Sequence, residues 1–230
     1  MGQKKKTVKK TASVKKSEYM PEVSPAVIKR LPRYFRYLRE VMRQGKTRVS
    51  SAELSKMMNV TASQIRQDLN CFGGFGQQGY GYNVNFLYTK ICELLGVGCG
   101  FRALVIGAGN LGSALVRSSM FEKRGVDVVA MVDVRENIIG KNVGDVTVYK
   151  MDDLEKLCEE FRLDIVILTL PKENAVAAAQ KLLNTNIKGI WNFTGKELDL
   201  VDSNIVVENE HIGDSLMTLC YEIARREEEL

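Results

Sequence analysis

The sequence predicts an α/β protein in two parts. An amino-terminal winged helix-turn-helix domain is followed by a Rossmann-like domain with a doubly wound parallel sheet, and a helix ends the chain. Three observations lead there. Residues 48 to 82 read as helix, turn, helix and glycine-rich hairpin. Residues 101 to 133 read as strand, a Gly-Ala-Gly-Asn-Leu-Gly turn, helix, strand and terminal acid. The net charge of +5 conceals a division: residues 1 to 82 hold 17 Lys and Arg against 5 Asp and Glu, and the remainder holds 16 against 23. A polyanion is therefore drawn to the first part only.

At 230 residues and 45% apolar composition the chain suits two modest domains. The expected boundaries are a basic arm at 1–23, a winged-helix domain at 24–97, a dinucleotide-binding domain at 98–208 and a dimerisation helix at 209–230. The lysines between positions 4 and 16 stand among Ser, Thr and Val without periodicity, the composition of a disordered arm. No apolar run reaches the roughly 18 residues that a membrane span needs, and the lysine-rich start lacks the apolar segment of a signal peptide. A cytoplasmic protein is expected. Cys71, Cys92, Cys99, Cys158 and Cys220 are scattered and never form a C-x-x-C pair, so reduced, mostly buried thiols are expected and no metal site.

From Pro25 to Gln44 the apolar residues Val27, Ile28, Leu31, Tyr34, Phe35, Leu38, Val41 and Met42 recur at three and four, which predicts an amphipathic helix ended by Gly45. Pro32 predicts that the regular helix starts or bends near it. Ser50 and Glu53 form a capping box for a second helix carrying Leu54, Met57 and Met58, and Asn59 is a left-handed stop. A third helix begins at Thr61, boxed by Gln64, and runs to about Phe72. It buries Ile65 and Leu69 and points Ser63, Gln64, Arg66, Gln67 and Asn70 outward. Gln, Arg and Asn side chains make paired hydrogen bonds to adenine and guanine edges in the major groove. Gly73, Gly74, Gly76, Gly79 and Gly81 then punctuate Phe75, Tyr80 and Tyr82, as in the hairpin wing of a winged helix. The candidate DNA-contacting residues are Lys46, Arg48, Ser63, Gln64, Arg66, Gln67, Asn70, Gln78 and Tyr80.

In the second part, Ala103 to Ile106 is an apolar strand, Gly107, Gly109 and Gly112 form the turn, and Leu111, Ala114, Leu115 and Val116 start a helical face. The glycines permit the tight turn, the approach of a pyrophosphate and the packing of helix on strand. The backbone N–H groups of Asn110 to Ala114 face the phosphates at the positive end of the helix. Val126 to Val132 is the next strand. Asp133, 21 residues beyond Gly112, stands where an acid accepts hydrogen bonds from a ribose 2′-OH and repels a 2′-phosphate. NAD is thus favoured over NADP, and Arg135 weakens the preference. Further βα units follow: strand 146–148, helix 152–160, strand 165–170, helix 174–184 and strand 189–193. Loops 169–172 and 192–195 leave the carboxyl ends of strands and should border the nicotinamide. The candidate cofactor residues are Gly107, Ala108, Gly109, Asn110, Leu111, Gly112, Ser113, Ala114, Asp133, Val134, Thr169, Leu170, Pro171, Asn192 and Phe193.

Hydride transfer to a substrate needs an acid or base beside the nicotinamide, and the only histidine, His211, falls near the carboxyl end at an expected helix start. No catalytic set emerges. Leu216, Leu219, Cys220 and Ile223 then form one apolar stripe with no later element to cover it, which invites a second subunit.

These segments, in this order, resemble the Rex family of redox-sensing transcriptional repressors. The resemblance runs from about Ser24 to Ile223 and rests on Arg30-Leu31-Pro32, Ser51 to Leu54, Gln64 to Leu69, Phe72-Gly73 through Tyr82, the glycine turn, Leu170-Pro171, Lys188 to Ile190 and Asn192-Phe193. It implies a winged helix joined to a Rossmann domain, NADH and NAD⁺ as ligands, and a homodimer whose last helix is swapped between subunits. It also implies repression, from palindromic operators, of anaerobic or fermentative genes, relieved by NADH. Three positions depart from the family pattern: Gln78 where a basic wing residue is usual, Ser118 where a tyrosine is common, and His211 where an aspartate is common. The resemblance assigns the last two, with Arg36, to a network sensing the cofactor between subunits. The expected protein is a non-enzymatic repressor. Its rivals are an NAD-dependent oxidoreductase with a helical extension, and an NAD-binding scaffold that no longer binds DNA.

Overall fold

A computed structural model of the chain describes residues 23–70, 76–77, 80–201 and 203–228, with the side chains of 76, 77 and 228 excepted. Residues 1–22 of the expected 1–23 arm, Gln78, and the stretch from Cys71 to Phe75 lie outside the described residues. The chain divides between Cys99 and Gly100 into two units, two residues beyond the expected boundary, and within the single chain the last helix groups with the second unit.

Helix α1 (Pro25–Arg43) buries Val27, Leu31, Tyr34, Phe35, Leu38 and Val41, six of the eight residues that the periodicity picks out; Ile28 is 49% exposed and Met42 half-buried. It starts at Pro25, not near Pro32, and continues through Pro32. Proline's fixed φ is itself helical; the buried stripe on both sides of Pro32 outweighs the loss of one backbone bond. Strand β1 (Arg48–Val49) leads into α2 (Ser51–Met58). Its capping box is complete: the Ser50 hydroxyl accepts from the Glu53 N–H at 3.1 Å and Glu53 accepts from the Ser50 N–H at 2.8 Å. Asn59 closes α2 at φ 51°. Helix α3 (Ala62–Asn70) begins after Thr61, whose hydroxyl accepts the Gln64 N–H at 3.1 Å. Gln64 does not complete that box, because its side-chain amide turns to Asp68 instead.

Strands β2 (Gly76–Gln77) and β3 (Gly81–Asn83) follow, and β1, β3 and β2 form a three-stranded antiparallel sheet, the wing. Asn83 then caps α4 (Val84–Leu94), its side chain accepting from the Phe86 N–H at 3.0 Å. Neither β1 nor α4 was expected from the sequence. The four helices enclose a core that includes Tyr34, Leu38, Leu54, Met58, Ile65, Leu87 and Ile91, all fully buried.

The second unit opens with β4 (Phe101–Ile106), α5 (Asn110–Arg117) and β5 (Val126–Asp133). An edge hairpin, β6 (Asn142–Val143) with β7 (Val146–Lys150), and α6 (Leu154–Glu160) come next. Then come β8 (Ile165–Leu168), α7 (Ala175–Leu182), β9 (Gly189–Asn192), β10 (Val206–Asn209) and α8 (Ile212–Glu228). The sheet order is β10-β9-β8-β4-β5-β7-β6, parallel except for the β6–β7 edge pair. Strand order therefore runs outward in both directions from β4, and the reversal falls between β4 and β8, the switch point at which doubly wound sheets bind nucleotides. Leu104, Ile106, Val132, Val166 and Leu168 face one covering layer, and Val105, Met131 and Ile167 the other. Strands buried on both faces have no polar alternation, which is why the sequence shows them as plain apolar runs.

The thiols depart from expectation. Of the four described cysteines only Cys158 is buried; Cys92 is half-buried, and Cys99 and Cys220 are exposed. Cys220 is exposed because it lies on α8, where residues 211–221 are all exposed in the single chain.

Candidate functional site

The glycine turn at the carboxyl end of β4 is shaped by three contacts. Gly107 adopts φ +104°, and a Cβ there would stand 2.9 Å from the Thr169 carbonyl oxygen. A Cβ on Gly112 would stand 2.0 Å from the Gly107 oxygen and 2.6 Å from the Thr169 hydroxyl, so only glycine lets α5 pack this close to β4. At Gly109 the same construction meets no protein atom within 4 Å, so the loop leaves open space there. That opening is what a pyrophosphate needs. The α5 N–H groups of Asn110, Leu111 and Gly112 begin the helix, and Gly109 supplies no side chain to cap them. Ser113, expected among the open donors, is spent on the Gly109 carbonyl at 2.9 Å, and Ala114 follows it into the regular helix. The start of α5 thus offers three N–H groups rather than the expected five.

Asp133 ends β5 almost fully buried, 8% exposed, beside this turn. One carboxylate oxygen accepts the Ala108 N–H at 2.7 Å and Arg135 Nη2 at 3.0 Å; the other accepts the Arg135 N–H at 2.9 Å and Nε at 3.0 Å. Burial pushes the carboxyl pKa up, but these bonds and the neighbouring guanidinium together hold it below the usual range, so the group is an anion at neutral pH. Ala108 therefore spends its N–H on Asp133, tying the turn to the end of β5.

Two expected nicotinamide-side residues turn out to hold the scaffold. The Thr169 hydroxyl lies 2.8 Å from the Gly107 carbonyl and 3.1 Å from that of Ile106, clamping the turn to the end of β8. Asn192 is buried at 1% exposure; its amide donates to Lys196 O and to Asn209 Oδ1, and its oxygen accepts the Thr194 N–H and hydroxyl. That accounts for every donor of the side chain. Leu170 and Phe193 are half-buried, Pro171 is exposed and Val134 is 77% exposed at the same end of the sheet.

In the first unit the exposed face of α3 carries Ser63, Arg66, Gln67 and Asn70. Arg66 has a long 3.3 Å contact to the Ser51 hydroxyl. Gln64 departs from the expected outward set: it is half-buried and donates to Asp68 at 2.8 Å. Asp68, fully buried, was missed as a functional-site residue. It accepts both guanidinium donors of Arg30 at 2.7 Å and the Tyr34 hydroxyl at 2.9 Å, fixing α3 against α1. On the wing the Arg48 guanidinium donates to the Tyr80 carbonyl at 3.3 Å and sits 5.9 Å from its ring, with Tyr80 69% exposed. Lys46 pairs with Glu53 at 3.3 Å.

The three expected switch residues each have a local neighbour. Arg36 lies 5.9 Å over the Tyr37 ring on α1. The Ser118 hydroxyl, at the end of α5, accepts from the Met120 N–H at 3.3 Å, and His211 Nε2 stands 3.6 Å from Glu197.

The fold and site define a class: a winged-helix DNA-binding unit joined in one chain to a Rossmann-type nucleotide-binding unit. The family described as putative DNA-binding protein N-terminus matches residues 22–70, and the CoA binding domain family matches residues 101–195. The redox-sensing transcriptional repressor Rex of Clostridium beijerinckii is 47% identical over 86% of this chain and 94% of its own length. The chain belongs to the Rex family of redox-sensing transcriptional repressors. The crystal structure of RSP in complex with β-NAD⁺ and operator DNA aligns at TM-score 0.82 and 46% identity, covering 89% of this chain and 94% of RSP. The complex of RSP with β-NADH aligns at 0.82 and 42% identity over 90% and 96%.

Proposed function

We propose that this chain is a cytoplasmic homodimeric repressor that binds a palindromic operator through α3 and the wing and leaves it when NADH occupies the turn at 107–112. The observation that carries this is one chain with Arg66, Gln67 and Asn70 on an exposed helix of one unit and a buried anionic Asp133 beside an open glycine turn in the other. NAD(H) in the second unit would hold its pyrophosphate on the N–H groups of Asn110 to Gly112 and its adenosine ribose on Asp133, with its nicotinamide end toward Leu170, Pro171 and Phe193. A phosphate on that ribose, as in NADP or CoA, would meet the Asp133 carboxylate. The nicotinamide supplies the signal through its redox state.

A ligand moves a two-state equilibrium only by the difference in its affinity for the two states. NADH must therefore favour a dimer geometry in which the two α3 helices no longer match successive major grooves. The family resemblance assigns the sensing of this between subunits to Arg36 with positions 118 and 211, where this chain has Ser118 and His211 in place of the usual tyrosine and aspartate. The repressor reading is supported by RSP, which is described in complex with NAD⁺ together with operator DNA and separately with NADH. Fluorescence anisotropy of a labelled palindromic fragment tests it: NADH should release the DNA while the same concentration of NAD⁺ leaves it bound. Equal effects of the two nucleotides would refute the reading.

A further inference from the structure

Asp133 is more fully occupied than a ribose-binding acid should be. A carboxylate offers about four lone-pair positions. Here all four are taken, by the Ala108 N–H, the Arg135 N–H and two guanidinium donors of Arg135. A ribose hydroxyl gains a bond to Asp133 only by displacing one of them. The two N–H groups belong to the backbone that positions the carboxylate. The guanidinium is on a flexible side chain that is 51% exposed, so it is the group that leaves. It cannot lose its charge on leaving, and only Val134 separates it in the chain from Asp133. It is therefore set free at the ribose edge, where the 2′-substituent of a bound dinucleotide lies.

We propose that Arg135 is a specificity-determining residue of the nucleotide site: it competes with the ribose 2′-OH for Asp133 and supplies a counter-charge to a 2′-phosphate, so NADH and NADPH are discriminated less here than Asp133 alone would dictate. This rests on reading the turn at 107–112 as a dinucleotide site. A free guanidinium matches a phosphate with two parallel donors, which an ammonium cannot do.

Calorimetric titration of NADH and NADPH into the wild type, Arg135→Ala, Arg135→Lys, Asp133→Asn and the double variant Asp133→Asn/Arg135→Ala tests this. Removing a half-exposed competitor should tighten NADH roughly two- to fivefold in Arg135→Ala. NADPH should weaken roughly tenfold in the same variant, and Arg135→Lys should fall between. Asp133→Asn should gain NADPH affinity, and the double variant should lose that gain. The NADPH binding that depends on Arg135 should fall with added salt. If the wild type binds NADH but Arg135→Ala leaves the NADH to NADPH ratio unchanged or lowers it, the proposal fails alone. If the wild type binds neither nucleotide, the site reading fails and the proposal with it. A cooperative thermal melt of Arg135→Ala, lowered only modestly because Asp133 keeps the Ala108 and residue-135 backbone N–H groups, separates either result from misfolding.

Discussion

Gly109 and Gly112 are the same residue for opposite reasons, and substitution should separate the reasons. Gly112→Ala would put a methyl 2.0 Å from a backbone oxygen of the turn, which cannot withdraw as a side chain could. Overpacking of this kind costs about 1–3 kcal/mol, so the variant should melt several degrees lower. Gly109 has φ −74°, which alanine adopts freely, and its Cβ would face open space. Gly109→Ala should keep the wild-type melting temperature and lose NADH affinity, because the methyl occupies the approach of the pyrophosphate; unchanged calorimetric affinity would refute the phosphate assignment. On α3 the contrast is between Arg66 and Gln64. Arg66 is exposed and loosely held, so Arg66→Ala should lose about 1–3 kcal/mol of discrimination at particular base pairs. Gln64 is engaged with Asp68, and Gln64→Ala should leave the ranking of operator variants unchanged in competition binding. A shift in base preference as large as that of Arg66→Ala would restore Gln64 as a reader.

The elements that the sequence made legible are those determined locally. The capping box of α2, the left-handed Asn59 and the turn at 107–112 each lie within a few residues, and each folds as its spacing implies. What stayed hidden depends on distant partners. Strands β1 and β6 are two residues long and exist only through pairing, β10 only by adding to β9, and Gln64 leaves its box for a carboxylate that the fold brings to it. Asp68 is the clearest case, since Arg30, which makes it tolerable inside a core, lies 38 residues away. Removing one member of a buried ion pair costs about 3–5 kcal/mol, toward the lower figure here because Arg30 is 25% exposed. Asp68→Ala should therefore loosen α3 against α1 and destabilise the first unit. Burial raises the Asp68 carboxyl, but Arg30, Gln64 and Tyr34 together hold it below its ordinary 3.8. A carboxylate depressed on folding stabilises above its unfolded pKa, and that contribution is lost as pH falls through the lower folded value. The window is thus below about pH 4. Melting temperature against pH should fall more steeply there for the wild type than for Asp68→Asn; parallel curves would show that Asp68 carries no such contribution.

At the scale of the molecule, α8 is an element whose apolar surface the single chain does not cover. Ile212, Leu216, Leu219 and Ile223 repeat at four, three and four along one side, and they are 51% to 61% exposed. Met217 and Tyr221 carry the apolar surface further round. Burying one such aliphatic side chain completely is worth about 1.5–3 kcal/mol, and a two-fold interface counts each of them twice. In the proposed homodimer a second copy would cover this helix, and the same homodimer ties that to DNA binding, because a palindrome is read by two α3 helices held at a fixed separation. Linking two weak readers raises operator affinity by roughly 10² to 10⁴ without any new contact to a base. Leu216→Glu with Leu219→Glu places charge in the middle of the stripe, while glutamate is a good helix former on a surface. The variant should sediment as a monomer, keep its helical circular dichroism, and lose operator affinity by about that factor. Thr218→Glu, about 130° round the helix from the centre of the stripe at 100° per residue, should remain dimeric and bind operator as before. A double variant that stays dimeric would place the subunit interface elsewhere. One that becomes monomeric yet binds the operator undiminished would break the link between α8 and the pair of α3 helices.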